Sequence, residues 1–336
     1  MQTVYQAPQQ LPILSQIFSP MTNNPKKPGR PRGRSDKLPR LTRSKSAKLP
    51  GIVLTNRDVS ILEAVYNYRA LTTPQVAALL FSPTTRTWCT YRLQLLFHHG
   101  YLFRAEQPQI PSEARKPFVY WLDRKGAEEL ATSRACNVKD LNWDRSERKV
   151  RYYFLEHLLA INDIRIAITT SATAHNVTLE AWYDERTLKR THKQDPITLT
   201  SSTGEKQTTT LIPDGYFLLD TETRRYHRFL EIDRATETGK AQGDLKRDWA
   251  RKIVCYLEYY RAGRFQARYH SQGMVVLTIT TSEKRLANLK RITEEIGGRE
   301  RFWFTTFARL TQPDTNILTS PIWDIATTEG LRTLIW

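Results

Sequence analysis

Apolar positions recur at helical spacing through the first folded part of the chain. From Thr55, the residues Val59, Leu62, Val65 and Tyr66 follow a 3.6-residue period and predict a helix. Thr55 is placed to cap it, with Asp58 three residues on as the reciprocal capping-box partner. A break at Arg69-Ala70-Leu71 leads to Thr72-Thr73-Pro74, a second cap with proline in the first turn, and a helix carrying Val76, Ala77, Leu79 and Leu80. Ser82-Pro83 closes that helix. A third is expected over residues 84–99, stopped by Gly100. Trp88, Tyr91, Leu95 and Leu96 read as its core stripe, with Leu93 at the margin and Arg92 beside it; Arg86, Thr87, Thr90 and Gln94 point elsewhere. Two short apolar runs, Tyr101-Leu102-Phe103-Arg104 and Phe118-Val119-Tyr120-Trp121-Leu122, then enclose a Pro-rich loop that carries Arg115 and Lys116. Asp123 caps a helix containing Ala127 and Leu130.

Three helices followed by a two-stranded wing predict a winged helix-turn-helix over residues 51–140. In that arrangement the third helix enters the DNA major groove and the wing touches backbone or minor groove. The third helix holds two arginines and no carboxylate, so Arg86 and Arg92 are expected to contact DNA. Thr85, Thr87 and Thr90 suit phosphates or base edges, and Arg115 and Lys116 serve from the wing. The rival reading is a protein-docking module, because small three-helix units with a β-ribbon also serve that purpose.

A polar connector of mixed charge follows, with a domain boundary near Asp140. The pattern beyond it changes character. Residues 149–170 predict a helix with a broad apolar surface, on which His157 reads as a packed residue rather than a ligand. Strands are expected at 177–183, 211–220, 226–232, 274–280 and 302–307, with helices over 244–262 and from Ser282 to Gly297-Gly298. The polar stretch 186–209 reads as a hairpin or loose loop, and Pro321-Ile322-Trp323 as a segment folding back on the sheet edge. Two late β–α crossovers imply a mixed sheet flanked by helices, making the chain α/β (α+β) in class, with this domain over 147–336.

Composition adds a partner. The 336 residues carry 51 Lys and Arg against 34 Asp and Glu, a formal charge of +17, which attracts a polyanion and predicts salt-dependent binding to double-stranded DNA. Residues 1–50 read as a disordered basic tail, rich in Pro, Gln, Ser and Lys/Arg. Within it, Lys26-Lys27-Pro28-Gly29-Arg30-Pro31-Arg32-Gly33-Arg34 resembles an AT-hook, in which extended arginines (here Arg30, Arg32 and Arg34) lie along a narrow minor groove. Pro28 stands where a basic residue is usual. The alternative is a basic tail held by charge alone. Three scattered cysteines, Cys89, Cys136 and Cys255, lack metal-ligand spacing and suit a reducing cytoplasm. Residues 1–20 lack the charged leader of a signal peptide, and no apolar run reaches membrane-spanning length, so a cytoplasmic protein with no membrane partner is expected. Walker, dinucleotide-binding and nucleophile-elbow motifs are missing too.

The remaining chemistry is acidic. Asp214 follows Pro213 on one expected strand; Glu231 and Asp233 end the next, two apart and on one side. Two carboxylates meeting at a sheet edge could hold Mg²⁺, which polarises a phosphodiester and activates water. Strand, Pro-Asp, strand, Glu-x-x and helix resemble the core of the PD-(D/E)XK nuclease superfamily, a restriction-endonuclease-like fold. That resemblance implies metal binding by Asp214 and Glu231. It also implies a catalytic lysine two residues after the glutamate, where this chain has Asp233; Lys252 or Lys246 on the following helix could replace it. The alternatives are a metal site without turnover, and a solvated or salt-bridged strand end.

Over most of its length the chain also resembles the replication-relaxation family of bacterial mobile elements. The carrying motifs are Leu54-Thr55-Asn56-Arg57-Asp58, Leu71-Thr72-Thr73-Pro74-Gln75-Val76, Tyr91-Arg92-Leu93 and His99-Gly100-Tyr101-Leu102. They continue with His157-Leu158-Leu159-Ala160-Ile161-Asn162-Asp163, Pro213-Asp214, Phe229-Leu230-Glu231-Ile232-Asp233-Arg234 and Lys252 through Tyr256. This resemblance implies DNA binding in the replication, mobilisation or regulation of a plasmid or other element. A homodimer and other proteins of the element are the further partners to expect. Three readings result: a DNA-binding protein whose nuclease-like second domain need not cleave, a Mg²⁺-dependent endonuclease or nickase, and a protein-interaction adaptor.

Overall fold

Thr55 and Thr72 start the first two helices as their sequences require. In the computed structural model, which describes residues 43, 49–109, 114–149, 151–200, 204–234 and 242–335, the Thr55 hydroxyl accepts from the Asp58 amide, and the Asp58 carboxylate takes the Thr55 N–H at 2.7 Å. This box opens α1 (Asn56–Tyr68). Thr72 and Gln75 form the same reciprocal pair, with proline in the first turn, ahead of α2 (Thr73–Leu80). Between them lies a short strand, β1 (Leu71–Thr72), where sequence periodicity shows only a break. A two-residue strand is too short for any pattern to register.

A 3₁₀ turn at Pro83–Thr85 leads into α3 (Arg86–His98). The chain leaves α3 by a Schellman turn: Gly100 adopts φ +86°, its N–H bonds the Phe97 carbonyl at 3.1 Å, and the Tyr101 N–H reaches Leu96 O at 2.9 Å. Next come β2 (Leu102–Ala105), β3 (Val119–Leu122) and α4 (Arg124–Ser133), which Asp123 caps through the Arg124 N–H at 2.8 Å. The strands form an antiparallel sheet ordered β1-β3-β2, with Leu71 opposite Tyr120 and Phe103 opposite Trp121. The core of this unit gathers Ile61, Leu62, Val65, Val76, Cys89, Leu93, Leu96, Leu102, Leu122 and Leu130.

The expected core stripe of α3 is corrected here. Leu95 and Leu96 are buried as expected, but Trp88 and Tyr91 are 61% and 41% exposed. Cys89, Leu93 and Leu96, at i, i+4 and i+7, face the core instead, so the buried face is rotated by about one residue, roughly 100° around the helix. Two large rings outweigh a cysteine in any count of hydrophobicity, yet the small thiol is what fits against α2.

The described residues from 167 onward make a second compact unit, entered through α5 (Tyr152–Ala174). Its elements are β4 (Thr178–Asp184), α6 (Glu185–His192), β5 (Ile197–Thr200), β6 (Lys206–Thr209), β7 (Gly215–Asp220), β8 (Arg225–Asp233), α7 (Gln242–Arg261), α8 (Arg264–Tyr269), β9 (Met274–Thr280), α9 (Glu283–Glu295), β10 (Phe302–Thr306), α10 (Phe307–Leu310), β11 (Trp323–Ile325) and β12 (Leu331–Arg332). Seven strands order as β12-β11-β10-β9-β8-β7-β4, and β5 with β6 forms a separate hairpin. β8, β9 and β10 run parallel and every other pairing is antiparallel, so the mixed sheet expected from the sequence is present. The polar stretch after β4 contains the hairpin of the first alternative, preceded by a helix the sequence pattern does not show; Leu188 and Ile197 anchor the two into the core. The chain folds back onto the sheet after Pro321-Ile322, as read: β11, which begins at Trp323, pairs with β10 and is itself flanked by the edge strand β12.

Two successive parallel crossovers that step the same way put their helices on one face of the sheet. Trp249, Ile253 and Tyr256 of α7 and Leu286, Leu289 and Ile292 of α9 pack there on Tyr216, Phe229, Val276 and Phe304. Alternate strand residues Phe217, Leu219, Leu230, Leu277 and Ile279 are also buried, so both faces are covered. No helix among the described residues is long and apolar enough to cross a membrane.

Candidate functional site

The antiparallel register of β7 and β8 sets Gly215 opposite Leu230, so one rung further on Asp214 lies opposite Glu231. Both residues share the parity of Tyr216 and Phe229 and therefore face α7. Asp214 is fixed by the Ile232 N–H, which donates to Oδ2 at 2.7 Å. Glu231 is buried, at 1% exposure. One of its oxygens accepts the Tyr256 hydroxyl at 2.6 Å and the other takes the Lys252 ammonium. Lys252 and Tyr256 are four apart on α7, so a single helical face delivers both to the same carboxylate.

Burial, opposed by the Lys252 charge and helped by the negative charge of Asp214, pushes the Glu231 carboxyl up to about 7. Burial works against the charge on Lys252, but Glu231 and Asp214 together outweigh it and hold the ammonium well above the usual lysine range. Two acids and one lysine thus act as an electrostatic unit on the end of β8.

Asp233, expected to stand where the nuclease motif carries lysine, is engaged by α9. Arg285 grips it with Nη2 on Oδ1 at 2.7 Å and Nε on Oδ2 at 2.5 Å, and the Thr280 hydroxyl donates at 2.5 Å. Asp233 is thus paired with a cation supplied from another element. Sequence reasoning missed Arg285; the available signal was an arginine in the first turn of the helix after β9, the strand that pairs with β8. A cavity of about 440 Å³ opens beside this group, lined by Asp233, Asp248, Arg251, Lys252, Cys255 and Arg285 among others. Lys246, the second replacement lysine, has a side chain outside the described residues.

Among the described residues, no three His, Cys, Asp or Glu side chains gather in a metal-binding group. Asp214 and Glu231 nonetheless supply the hard oxygen donors Mg²⁺ prefers, and that ion commonly takes one or two carboxylates and keeps its waters. Glu231, however, is buried with one oxygen taken by Tyr256 and the other by Lys252, so an ion would have to displace one of these partners.

The model of the replication-relaxation family matches residues 62–275, well over half of the chain. The protein belongs to that family. Among solved structures it is similar to the restriction endonuclease FokI at 12% identity, over 76% of this chain and 42% of that chain, with a TM-score of 0.24. The likeness to FokI bound to DNA is 14% in identity, over 76% and 43% of the two chains, with a TM-score of 0.22. The chain spans less than half the length of these structures, and at such scores its fold is read from its own strand order. No curated protein matches.

In this replication-relaxation protein the other expected contact residues are distributed unevenly. Arg86, Thr87 and Thr90 lie on the exposed face of α3, and Thr85 sits at its start, its hydroxyl donating to Ser82 O at 3.1 Å. Arg92 does not share that face. Its guanidinium, expected to contact DNA, is paired with the fully buried Asp58 in the first turn of α1. Arg115 pairs with Glu106 on the exposed segment between β2 and β3, and Lys116 turns to the Tyr152 hydroxyl at 2.7 Å and Glu156 at 3.2 Å. Arg30, Arg32 and Arg34 of the AT-hook-like segment lie outside the described residues.

Proposed function

We propose that this protein binds double-stranded DNA of a plasmid or other mobile element in the bacterial cytoplasm, through a winged helix over residues 51–140. The second compact unit, from residue 167 onward, is a nuclease-like module on the same chain. The observation that carries the reading is the exposed face of α3. It presents Arg86, Thr87 and Thr90, and the helix holds no carboxylate from Arg86 to His98, on a chain of net charge +17. Arg86 reaches phosphate or guanine, the threonines reach phosphates, and Arg115 on the wing and the arginines of the N-terminal tail add charge. The test is a gel shift on the element's own DNA across a salt series. Arg86→Ala is expected to weaken binding and flatten the salt slope; wild-type protein that ignores duplex DNA even in dilute buffer refutes the reading.

A second reading, a Mg²⁺-dependent endonuclease or nickase, is favoured by Lys252 resting on Glu231 beside Asp214. Asp214 and Glu231 would hold the ion, which when bound lowers the pKa of a water and polarises a phosphodiester. Lys252 would keep Glu231 ionised and hold a proton beside the reacting phosphate, and Arg285 would offer charge to the same backbone. Supercoiled plasmid nicked with Mg²⁺, and left intact by Asp214→Asn and by Glu231→Gln in folded protein, is the expected result. Intact plasmid with the wild type leaves a DNA-binding protein without cleavage.

A further inference from the structure

We infer that Trp88 and Tyr91 form a stacking platform for unpaired bases, so that the preferred ligand is a duplex carrying a short melted or single-stranded segment. The inference rests on the DNA-binding reading and names the form of DNA it takes.

Three observations carry it. The rings are 61% and 41% exposed and meet edge-to-face, with centroids 5.8 Å apart and planes at 80°. They do not serve the core, because Cys89, Leu93 and Leu96 already fill the buried side of α3. The same exposed face carries Arg86, Thr87 and Thr90, since Arg92 is held by Asp58. Major-groove readout relies on Arg, Lys, Asn and Gln reaching base edges. This face offers two aromatic rings and one guanidinium.

Charge selects the occupant. An apolar protein surface would satisfy the rings but would gain nothing from a helix without carboxylates on a chain of charge +17. A nucleic acid satisfies both. Within a duplex, each base face is covered by its neighbours, and only an unpaired base can offer one to an indole or phenol. Such stacking tolerates any sequence, and each ring lost weakens binding on the order of ten-fold.

The test compares, by fluorescence anisotropy on the full chain, a labelled duplex with the same duplex carrying a central run of unpaired thymines. The expected result is binding on the order of ten-fold tighter to the interrupted duplex. Trp88→Ala and Tyr91→Ala should each narrow that ratio, and Trp88→Phe should retain most of it. Circular dichroism and melting temperature check that the variants fold, which exposed positions permit. Equal affinity for the two DNAs overturns the inference while leaving duplex binding intact. Equal weakening of both by Trp88→Ala also overturns it and makes the rings groove contacts. Failure to bind either DNA removes the inference together with the reading beneath it.

Discussion

Arg92 on α3 and Asp58 on α1 form a two-point ion pair: Nε donates to Oδ1 at 2.8 Å while Nη2 donates to Oδ2. Asp58 is fully buried and also receives the Thr55 amide and hydroxyl, each at 2.7 Å. Burial alone would raise its carboxyl, but Arg92 and Thr55 together hold it below the usual aspartate range. A residue that looks from the sequence like a DNA contact therefore ties the third helix to the first.

Removing Arg92 strands a buried carboxylate. Arg92→Ala is expected to cost about 3 kcal/mol of stability, read as a drop in melting temperature. Arg92→Lys should recover only part of this, because an ammonium cannot bridge both oxygens in the fork geometry. Adding Asp58→Asn to Arg92→Ala should cost less than the sum of the single changes, since the pair is lost only once. DNA affinity measured well below the melting transition should fall less for Arg92→Ala than for Arg86→Ala. The opposite order would return Arg92 to the interface.

Lys252 and Glu231 give a second expectation, with a pH dependence. The Glu231 carboxyl, pushed up to about 7 by burial, sits comfortably in the fold when protonated and needs its cation when ionised. A carboxyl raised in the folded state contributes stability at low pH and loses it as pH rises through that value. Lys252→Met should therefore destabilise the protein by about 2 kcal/mol at pH near 8 and by distinctly less at pH near 5.5. Glu231→Gln in the same chain should erase the difference between the two pH values. A Lys252→Met penalty that ignores pH would mean that Glu231 keeps its charge without help.

The legible parts of this protein are those written in local chemistry. Thr55 with Asp58 and Thr72 with Gln75 announce two helices because capping is settled within four residues. The strands around Pro213-Asp214 and Glu231 show in their apolar runs, and the register that pairs Asp214 with Glu231 follows once β7 and β8 are neighbours. Lys252 was reachable as one of two lysines on the next helix. Arg285 shows in the sequence only as an arginine in the first turn of the helix after β9; its contact with Asp233 spans 52 residues and depends on which strand pairs with β8. The exposure of Trp88 escaped for a related reason. A helix with apolar residues on more than one side has no unique inward face until its neighbours fix one, and here Cys89 fits where an indole does not. His192 hid in a polar stretch between β4 and the β5–β6 hairpin, and only the folded unit shows it fully buried.

That histidine sets an acid limit on the sheet-bearing unit. One ring nitrogen, Nδ1, lies 2.9 Å from the Leu211 carbonyl, which can only accept, so Nδ1 carries the proton; Nε2 then accepts from the Tyr269 hydroxyl at 2.8 Å. The site suits a neutral imidazole. Burial, aided by the charge of Arg268, holds its pKa below the usual 6.5 despite the Leu211 carbonyl. His227, 2.8 Å from the Tyr216 hydroxyl, is lowered in the same direction, chiefly by burial. A histidine depressed in the fold binds its proton more readily when unfolded, so the stability it contributes is present above pH 6.5 and is lost as pH falls from there toward the folded pKa. Unfolding free energy should thus be level near pH 7 to 8 with respect to these groups and fall below pH 6.5 by up to about 1.4 kcal/mol per pH unit for each proton taken up. His192→Phe, which keeps a flat ring against Tyr259 but cannot be protonated, should be less stable at neutral pH through its lost hydrogen bonds. Its acid slope should be shallower by about one proton. Denaturant titrations of both proteins across this range decide the matter: a His192→Phe slope equal to the wild type's would show that His192 takes up its proton in the folded state as easily as in the unfolded one.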